Sequence, residues 1–347
     1  MTAKEMVKLD LIDQKILSVL IKNSRISISE LAKIIKHHYP TVRNRLNKLV
    51  DNGVINNFYP VLQFPGIGIR RYMGVYLCLR NISTEEQSEL IKTLMRNPFL
   101  IHVYELEEKW NIFLLLATNY IKEARDTLDW VKQKCGKSLV SFMVMPTYTI
   151  SPLNRKFFLR SEFEINQEKI KTGYNQTIIK TPLIHLEKHI DLDETDIKIL
   201  DFIRLNARTP IDEIAEYAKI DSSLVNYKFK KYIKSNLIKY FSIDVDPEVL
   251  GYSQYLLFLN LQGDTKGKEL LIEYLKKTKE AYHYFEYLGY YEIVITLCVK
   301  SREEMEDVKN EIIKRFNEYI KDNEVLWVKK RYKFDPYPEV KLVYPKK

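Results

Sequence analysis

Apolar residues recur along the chain first with a helical period and later in runs of strand length. After Asp10, apolar residues follow every three or four positions, and Asp10 itself, with Asp13 three residues later, fits the start of a helix. Ser27 and Glu30 have the spacing of a capping box and predict a second, short helix. The stretch PTVRNRLNKLVDNGVI, residues 40–55, predicts a third helix that ends at an Asn-Gly pair before an extended segment.

Residues 72–146 carry a different pattern, in which apolar runs of strand length alternate with helical segments. The predicted strands cover 72–79, 101–106, 111–117 and 138–145, and the predicted helices cover 84–97 and 120–135. This order of strand, helix, strand, strand, helix, strand is the ferredoxin-like arrangement. One unit therefore consists of a three-helix head with a wing-like strand, followed by an α+β domain.

Both patterns occur twice, because the chain contains an internal repeat. A shift of 183 residues aligns Leu9–Tyr72 with Leu192–Tyr255 without a gap, and 18 of the 64 positions are identical. Composition alone would give roughly four identities, so the repeat governs the expected architecture. After a further slip of two residues, IHVYELEEKWNIFLLLAT aligns with YHYFEYLGYYEIVITLCV. The sequence predicts an α+β protein of two tandem copies, each a winged helix-turn-helix followed by a ferredoxin-like βαββαβ domain.

The repeat also sets the expected domain boundaries. Winged helix-turn-helix domains are expected at 1–62 and 189–245, and ferredoxin-like domains at 68–150 and 251–335. Residues 151–188 lack a sustained period and are expected to form a linker or loosely attached structure, and 336–347 a C-terminal tail. A linker of this length would give the two copies some independence.

The third helix of the first copy carries cations and amides between its apolar residues. Val42, Leu46, Leu49 and Val50 form one stripe, so the residues between them are expected to face outward. Lys and Arg bind DNA phosphates, Arg and Asn can bond base edges, and a helix-turn-helix inserts the N-terminal residues of this helix. We expect base contacts from His38, Tyr39, Pro40, Arg43 and Asn44, and phosphate contacts from Thr41, Arg45 and Lys48.

The second copy places different side chains at these positions. Base contacts are expected from Ser222, Ser223, Asn226 and Tyr227, and phosphate contacts from Lys228, Lys230 and Lys231. The alternative is a solvated charged face, which is common for an isolated basic helix. Double-stranded DNA is favoured because the cations lie on the third helix of a three-helix unit, this helix precedes a wing-like strand, and the pattern returns in the second copy.

The overall charge agrees with a polyanionic partner without choosing between nucleic acid and anionic lipid. Lys and Arg number 55 against 46 acidic residues, which gives a net charge of +9 and a pI near 9.0. The longest apolar run, residues 112–117, is far shorter than the roughly 20 residues of a membrane helix, and no signal-peptide pattern precedes the first helix. We expect a cytoplasmic, nucleoid-associated protein that has no membrane partner.

Metal, cofactor and disulfide chemistry are not expected. Cys78, Cys135 and Cys298 lie far apart in or beside apolar runs, which indicates small buried thiols. His37 and His38 have no Cys or third His at ligand spacing, so exposed histidines are the simpler interpretation. No catalytic residue, metal ligand or cofactor site is assigned.

The motif LD..D..IL..L..N.R....ELA, followed by TV..R...L...G.I, runs from Leu9 to Ile55. On these residues the chain resembles the Lrp/AsnC family of feast/famine transcriptional regulators. The resemblance implies a winged helix-turn-helix and a ferredoxin-like effector domain of the RAM type, which pairs through its sheet into dimers and higher assemblies. Two fused copies would form an intramolecular pseudo-dimer, open to further homo-oligomerisation. Because the two third helices differ, we expect unlike half-sites about one helical turn, or a multiple of it, apart.

The turn before the third helix departs from the family pattern. Lys36 and Lys219 stand where the family usually has a glycine. Because glycine adopts a left-handed turn conformation without strain, this replacement predicts a less tight turn.

The effector loop of the family usually has Gly, two residues and then Asp, and binds small molecules such as amino acids. Gly289 and Glu292 match this spacing in the second copy, whereas the first copy has Asn111 at the acidic position. The first copy, with Glu108 and Asn111, thus loses both the glycine and the carboxylate, so amino-acid sensing is unsupported there. The candidate residues for a small-molecule effector are Gly289, Glu292 and Asn111. For Glu292 the alternative is a solvated residue at the start of a strand.

Siroheme decarboxylases look similar to these regulators and provide the alternative function. Their ferredoxin-like part has a His-x-Tyr strand followed by an aromatic-Asn turn. The corresponding residues here are His102, Tyr104, Trp110 and Asn111, with His283, Tyr284 and Tyr291 in the second copy. Decarboxylation of tetrapyrrole acetates needs cations for many carboxylates and a proton donor, and these strands carry few cations apart from Lys109. A regulator that is not an enzyme is the favoured prediction.

Overall fold

The computed structural model of the chain describes residues 6–153, 155–159, 190–263 and 265–344. Head one, residues 10–62, contains α1 (Leu11–Leu20), α2 (Ile28–Ile35), α3 (Tyr39–Asp51) and β1 (Ile55–Leu62). Domain one contains β2 (Arg71–Leu79), α4 (Thr84–Met95), β3 (Leu100–Glu107), β4 (Ile112–Thr118), α5 (Ile121–Cys135) and β5 (Leu139–Pro152).

The second copy repeats this order of elements. Head two, residues 193–245, contains α6 (Glu194–Phe202), α7 (Ile211–Ala218), α8 (Ser222–Lys234) and β6 (Ile238–Val245). Domain two contains β7 (Ser253–Leu261), α9 (Thr265–Leu275), β8 (Ala281–Tyr287), β9 (Ile293–Val299), α10 (Arg302–Arg315) and β10 (Ile320–Phe334), and a short α11 (Val340–Val343) follows it.

The first helix of each head starts with two carboxylates that cap each other's backbone. The Asp13 amide donates to Oδ1 of Asp10 (3.0 Å), and the Asp10 amide donates to Oδ2 of Asp13 (3.2 Å). Asp193 and Asp196 repeat both bonds at 2.7 and 2.9 Å. The acidic pair that the sequence repeats therefore satisfies amides that a helix start would otherwise leave unpaired.

The eight strands of the two domains form one closed barrel in the order β10-β3-β4-β2-β5-β8-β9-β7, with antiparallel neighbours. Within each domain the first strand lies between the third and the fourth, as in a ferredoxin-like sheet, so the predicted fold class is confirmed. The two sheets join through β5 with β8 and through β10 with β3. The two copies therefore pair with each other inside one chain.

Aromatic side chains fill the barrel, and helices cover its outside. Tyr76, Phe113, Phe285 and Tyr287 are buried inside the barrel. A Cβ on Gly74 of β2 would lie 2.7 Å from Oη of Tyr287, so the close approach of the two copies requires a glycine there. The helices α4 and α5 pack on domain one, and α9 and α10 pack on domain two.

The strands that follow the third helices connect the two heads. β1 and β6 pair with each other as an antiparallel two-stranded sheet in which Tyr59 lies opposite Ser242 and Pro60 opposite Phe241. Most residues of both strands are buried. The segment predicted to be wing-like thus joins the copies.

The ends of the two barrel domains differ from the predicted linker and tail. β5 continues to Pro152, and Phe157 and Phe158 are buried in the core of head one, so the expected loose attachment is wrong for residues 155–159. The other residues of the predicted linker, 154 and 160–188, lie outside the described residues. Tyr337 is buried and donates its hydroxyl to the carbonyl of Leu200 (2.8 Å), so the described part of the predicted tail packs on head two.

Candidate nucleic-acid interface

Helix α3 presents the predicted polar face to solvent. Val42, Leu46 and Leu49 are buried in the core of head one, whereas Val50 is 39% exposed and its assignment to the apolar stripe is wrong. Val50 follows Leu49 by about 100° around the helix and so turns past the edge of the core. The exposed residues are His38, Tyr39, Pro40, Arg43, Asn44 and Lys48, with Thr41 half-buried. Across the described ranges, Arg43 and Lys48 have no acidic partner within 4.0 Å.

Arg45 differs from these two cations because it contacts the start of α1. Its Nη2 lies 2.7 Å from Oδ2 of Asp10, and its Nη1 lies 3.4 Å from Oδ2 of Asp13. Burial alone would raise the pKa of Asp10, but the Asp13 amide, the Arg45 charge and the Ile12 amide together lower it. In this arrangement Arg45 holds α3 against α1, and a phosphate would have to compete with these carboxylates.

Lys228 occupies the same position of the repeat in head two and is buried. Its Nζ lies 2.7 Å from Oδ2 of Asp193 and 2.6 Å from Oδ1 of Asp196, which also accepts the Tyr232 hydroxyl at 2.7 Å. Burial alone would lower the pKa of Lys228, but the hydrogen bonds to Asp193 and Asp196 raise it. The prediction that Lys228 contacts phosphate is wrong, because the carboxylates at the start of α6 hold its ammonium group inside the head.

The remaining predicted residues of α8 are less available for DNA contact than those of α3. The exposed ones are Ser223, Asn226, Tyr227, Lys230 and Lys231. Ser222 is half-buried and donates its hydroxyl to Oδ1 of Asp212 at 2.5 Å. The Asn226 amide donates to the Ser222 carbonyl at 3.0 Å. Two of the four side chains expected to contact bases are therefore already engaged in bonds within head two.

One further cation on this face was not among the predicted contacts. Lys234, in the last turn of α8, is exposed. It follows Lys230 by four residues and Lys231 by three, so the three ammonium groups lie on one side of the helix. Helical spacing alone would have found it.

The turn before the third helix is tight in both copies although lysine replaces glycine. Lys36 and Lys219 adopt the left-handed conformation, with φ of 57° and 58°. The His37 amide donates to the carbonyl of Ala32 at 3.0 Å, and the corresponding bond closes the turn of head two. The expected loosening is therefore wrong, because a residue with a Cβ adopts this conformation at a cost of only about 1 to 2 kcal/mol.

Two arginines hold the heads together through reciprocal bonds. Nη1 of Arg25 donates to the carbonyl of Thr209 (3.2 Å), and Nη1 of Arg208 donates to the carbonyl of Ser24 (2.7 Å). Arg25 and Arg208 are identical positions of the repeat, so the contact follows the same pseudo-symmetry as the barrel. It limits how far α3 and α8 can move relative to each other.

The predicted effector residues do not converge in one bonded site. Oδ1 of Asn111 accepts the amide of Leu79, which uses this side chain to connect β4 with β2. Gly289 is exposed, and a Cβ there would meet no atom within 4 Å, so space does not require glycine. Glu292 is half-buried just before β9. Its role in effector binding stays a prediction.

The described residues include no helix long and apolar enough to cross a membrane. Across the same residues no group of three or more His, Cys, Asp and Glu side chains could hold a metal ion. Cys78, Cys135 and Cys298 are free and buried, as predicted.

The histidines of the alternative function lie under the paired strands β1 and β6. His102 on β3 and His283 on β8 are buried and line a cavity of about 70 Å³. Burial, followed by the charges of Arg331 and Lys333, lowers the pKa of His102 to about 3. Burial also lowers the pKa of His283. Both imidazoles are therefore neutral at pH 7.

Comparison with known proteins agrees with the repeat and with the position of the third helices. A family model described as winged helix-turn-helix DNA-binding matches residues 9–56 and 192–239. The HTH-type transcriptional regulator FL11 of Pyrococcus horikoshii is 30% identical over 116 residues, which are 33% of this chain and 76% of FL11. The regulator LrpA of Pyrococcus abyssi is 30% identical over 124 residues, or 34% of this chain and 82% of LrpA. The chain belongs to the Lrp/AsnC family. Each relative corresponds to about one of the two copies of this Lrp/AsnC protein.

The arrangement of both copies in one chain also occurs in a solved structure. The siroheme decarboxylase NirDL superposes with a TM-score of 0.62 over 94% of each chain, at 13% sequence identity. At this identity the similarity concerns the fold alone. The fused, two-headed architecture is thus shared by this Lrp/AsnC protein and a protein described as an enzyme.

Proposed function

We propose that the chain is a sequence-specific, double-stranded DNA-binding transcriptional regulator in which head one makes the principal contact. The main support is the solvent-exposed face of α3. There Arg43 and Lys48 have no acidic partner among the described residues, and the amide of Asn44 is exposed beside them. Lys and Arg at such positions release counterions from phosphates, and Arg and Asn discriminate bases in the major groove. Membership of the Lrp/AsnC family supports the same function.

The second head acts as an auxiliary contact in this proposal. Its cations Lys230, Lys231 and Lys234 are suited to phosphates, while Ser223 and Tyr227 are the exposed side chains available for bases. Since the heads are joined through Arg25 and Arg208, the two unlike half-sites would be read as one unit. We place the protein in the cytoplasm at the nucleoid and expect the pseudo-dimer to associate further.

Selection of bound duplexes from a random pool tests this function. The wild-type protein should enrich an asymmetric sequence, because α3 and α8 differ. The variant Arg43→Ala, Asn44→Ala should lose the sequence preference but keep salt-sensitive binding through the remaining cations. Failure of the wild-type protein to bind any duplex at low salt would contradict the proposal.

We further propose that Glu292 receives the amine of a small-molecule effector, with Gly289 leaving room beside it. Titration with the twenty amino acids, followed by DNA binding, tests this role. An effect on DNA affinity that the Glu292→Gln variant loses would support it, and an effect that Glu292→Gln retains would place the effector elsewhere.

A siroheme decarboxylase-like activity is the second candidate, favoured by the similarity to NirDL over 94% of both chains. The cavity at His102 and His283 measures about 70 Å³, whereas pockets for molecules of drug size or larger measure about 300 Å³ or more. A tetrapyrrole could enter only if the elements around this cavity moved far apart. We therefore propose that the protein is not an enzyme. Incubation with siroheme tests this, because decarboxylation would change the product mass and the absorbance spectrum.

A further inference from the structure

The small cavity beneath β1 lies apart from the exposed face of α3 and is built from both copies. Tyr59 and Leu62 of β1 form one wall, His102 of β3 and His283 of β8 form another, and Phe334 of β10 closes a side. His102 lies opposite Phe334, and its ring stacks on that of Phe334 with centroids 4.6 Å apart. Most of the lining is apolar.

Arg155 brings a charge to this apolar cavity. Its side chain lines the cavity and is only 7% exposed. Nη1 donates to Oγ of Ser242 and to the carbonyl of Ile243, both at 3.2 Å, while Nε has no hydrogen-bond partner. No carboxylate of the residues that the structure describes lies within 4.0 Å of its guanidinium nitrogens. A guanidinium stays protonated, and this one has no carboxylate partner among the described residues, although its Cζ lies 5.2 Å from the centroid of the Tyr282 ring.

Unlike Arg155, the buried Arg331 has a carboxylate partner. Its Nη1 lies 3.1 Å from Oδ1 of Asp244, and its Nη2 lies 3.2 Å from Oδ2, in the bidentate geometry of an arginine–carboxylate pair. That pair is neutral as a whole. Since His102 and His283 are uncharged at pH 7, Arg155 is the one side chain with a net charge among the described residues that line the cavity.

His283 adds a second unsatisfied polar group. Its Nε2 lies 3.4 Å from Oγ1 of Thr296, but Nδ1 is buried and makes no hydrogen bond. Buried polar atoms in native proteins are nearly always bonded to protein, water or ligand. An unsatisfied guanidinium nitrogen and an unsatisfied imidazole nitrogen therefore belong to residues that line the same cavity.

We propose that this cavity binds a small monocarboxylate, with Arg155 as its charge partner and His283 as a hydrogen-bond partner. One negative charge balances the charge of Arg155, whereas a phosphate dianion would leave a negative charge among apolar walls. The planar carboxylate matches the fork of the guanidinium group, and the apolar walls suit a short aliphatic body. The site differs from the DNA face and from the loop at Glu292.

Calorimetry and thermal unfolding without DNA test the proposal independently of the regulator function. The probes are sodium acetate and sodium pyruvate, compared with acetamide, sodium chloride and sodium phosphate at the same ionic strength. Saturating carboxylate should raise the unfolding midpoint by about 2 °C or more, since a ligand stabilises the state that it binds. The neutral amide, chloride and phosphate should not produce this rise. Equal effects of carboxylate and chloride would overturn the proposal.

The variant Arg155→Met separates a ligand site from a structural arginine. It should weaken pyruvate binding at least about tenfold, since it removes the charge partner. Its unfolding midpoint without ligand measures the structural part of the role separately, because the bonds from Nη1 to Ser242 and Ile243 are lost together with the charge. Arg302→Met, at an exposed arginine of α10, is the matched control and should leave pyruvate binding unchanged. Retained binding in Arg155→Met would exclude the proposed site.

Nitrogen-15 spectra of the histidine side chains provide a second test, which observes the site in the wild-type protein directly. Pyruvate should shift the resonance of His283, assigned by its loss in His283→Gln, and acetamide should not. An unchanged His283 resonance at saturating pyruvate would also overturn the proposal.

Discussion

Head one and head two share one contact between helices but expose different side chains to solvent. In both heads a cation of the third helix contacts the acidic pair that starts the first helix, and this contact is called the brace. Lys228 is 7% exposed there and bonds both carboxylates at under 3 Å, whereas Arg45 is 37% exposed and bonds Asp13 at 3.4 Å. The same position of the repeat therefore stabilises both heads, and head two depends on it more.

The two heads have diverged in charge. Residues 10–62 contain eight Lys and Arg against four Asp and Glu, whereas residues 193–245 contain nine of each kind. In head two, Asp212 already binds Ser222 at the start of α8, and Asp221 stands at the N-cap. Negative charge there repels phosphates, so head one is better suited to DNA and head two to supporting it.

The largest expected effect comes from removing the two equivalent braces. Lys228→Ala should lower the free energy of unfolding by about 3 kcal/mol, because it leaves Asp196 buried without its counter-charge. Arg45→Ala should cost about 1 kcal/mol or less, since that pair is half-exposed. Urea unfolding followed by circular dichroism measures both values. Equal losses would show that the difference in burial has no energetic consequence.

A second, smaller difference concerns DNA affinity. Arg43→Ala with Lys48→Ala should weaken duplex binding about tenfold or more at moderate salt and reduce the salt slope by about 1, because Lys48 is the phosphate contact of the pair and each phosphate contact contributes about 0.9. Lys230→Ala with Lys231→Ala should have a smaller effect on affinity. Fluorescence anisotropy across a salt series measures both.

The matched control for this pair of variants is Arg80→Ala with Lys137→Ala. It removes one exposed arginine and one exposed lysine from domain one, so it changes the net charge equally. It should leave the affinity and the salt slope nearly unchanged. A loss as large as that of Arg43→Ala with Lys48→Ala would mean that α3 is not a specific contact surface.

The two braces should also differ in how much folding stability is lost at alkaline pH, and this difference should be smaller still. The pKa of Lys228 is raised above 10.5, so its contribution is fully present below pH 10.5 and is lost as the pH rises through the folded-state pKa. Arg45 does not titrate in this range. Lys228→Arg should therefore lose less stability than the wild type between pH 10 and about 12. Parallel curves for the two proteins would contradict this.

The smallest expected effect comes from the contact that joins the heads. Arg208→Lys removes the forked donor that reaches the Ser24 carbonyl but keeps the charge. Stability should change by about 1 kcal/mol, while the protein should accept duplexes whose half-sites are moved by one or two base pairs. Competition between duplexes of different spacing measures this tolerance. An unchanged spacing preference would assign the geometry to the barrel alone.

Most of the fold could be predicted from the sequence, because helix starts, strands and their order are set by residues close together in the chain. The acidic caps at Asp10 and Asp193, the strand runs and the order of elements follow from neighbouring residues, and the structure has them. The errors at Val50 and Lys228 share one cause. Both lie at the edge of a helical stripe, where the core of the head, rather than the helical period, decides whether a side chain is covered.

Residue patterns along the chain were enough to predict two copies, a three-helix head and a ferredoxin-like domain in each copy, and a basic face on α3. How the two copies meet follows only from the three-dimensional arrangement, because the pairings between them join residues far apart in the chain: β5 with β8, β10 with β3, and β1 with β6. The same arrangement also brings Arg155, His102 and His283 around one cavity. Pairings and charges of this kind depend on which surfaces come together in space, and residue spacing along the chain does not record that.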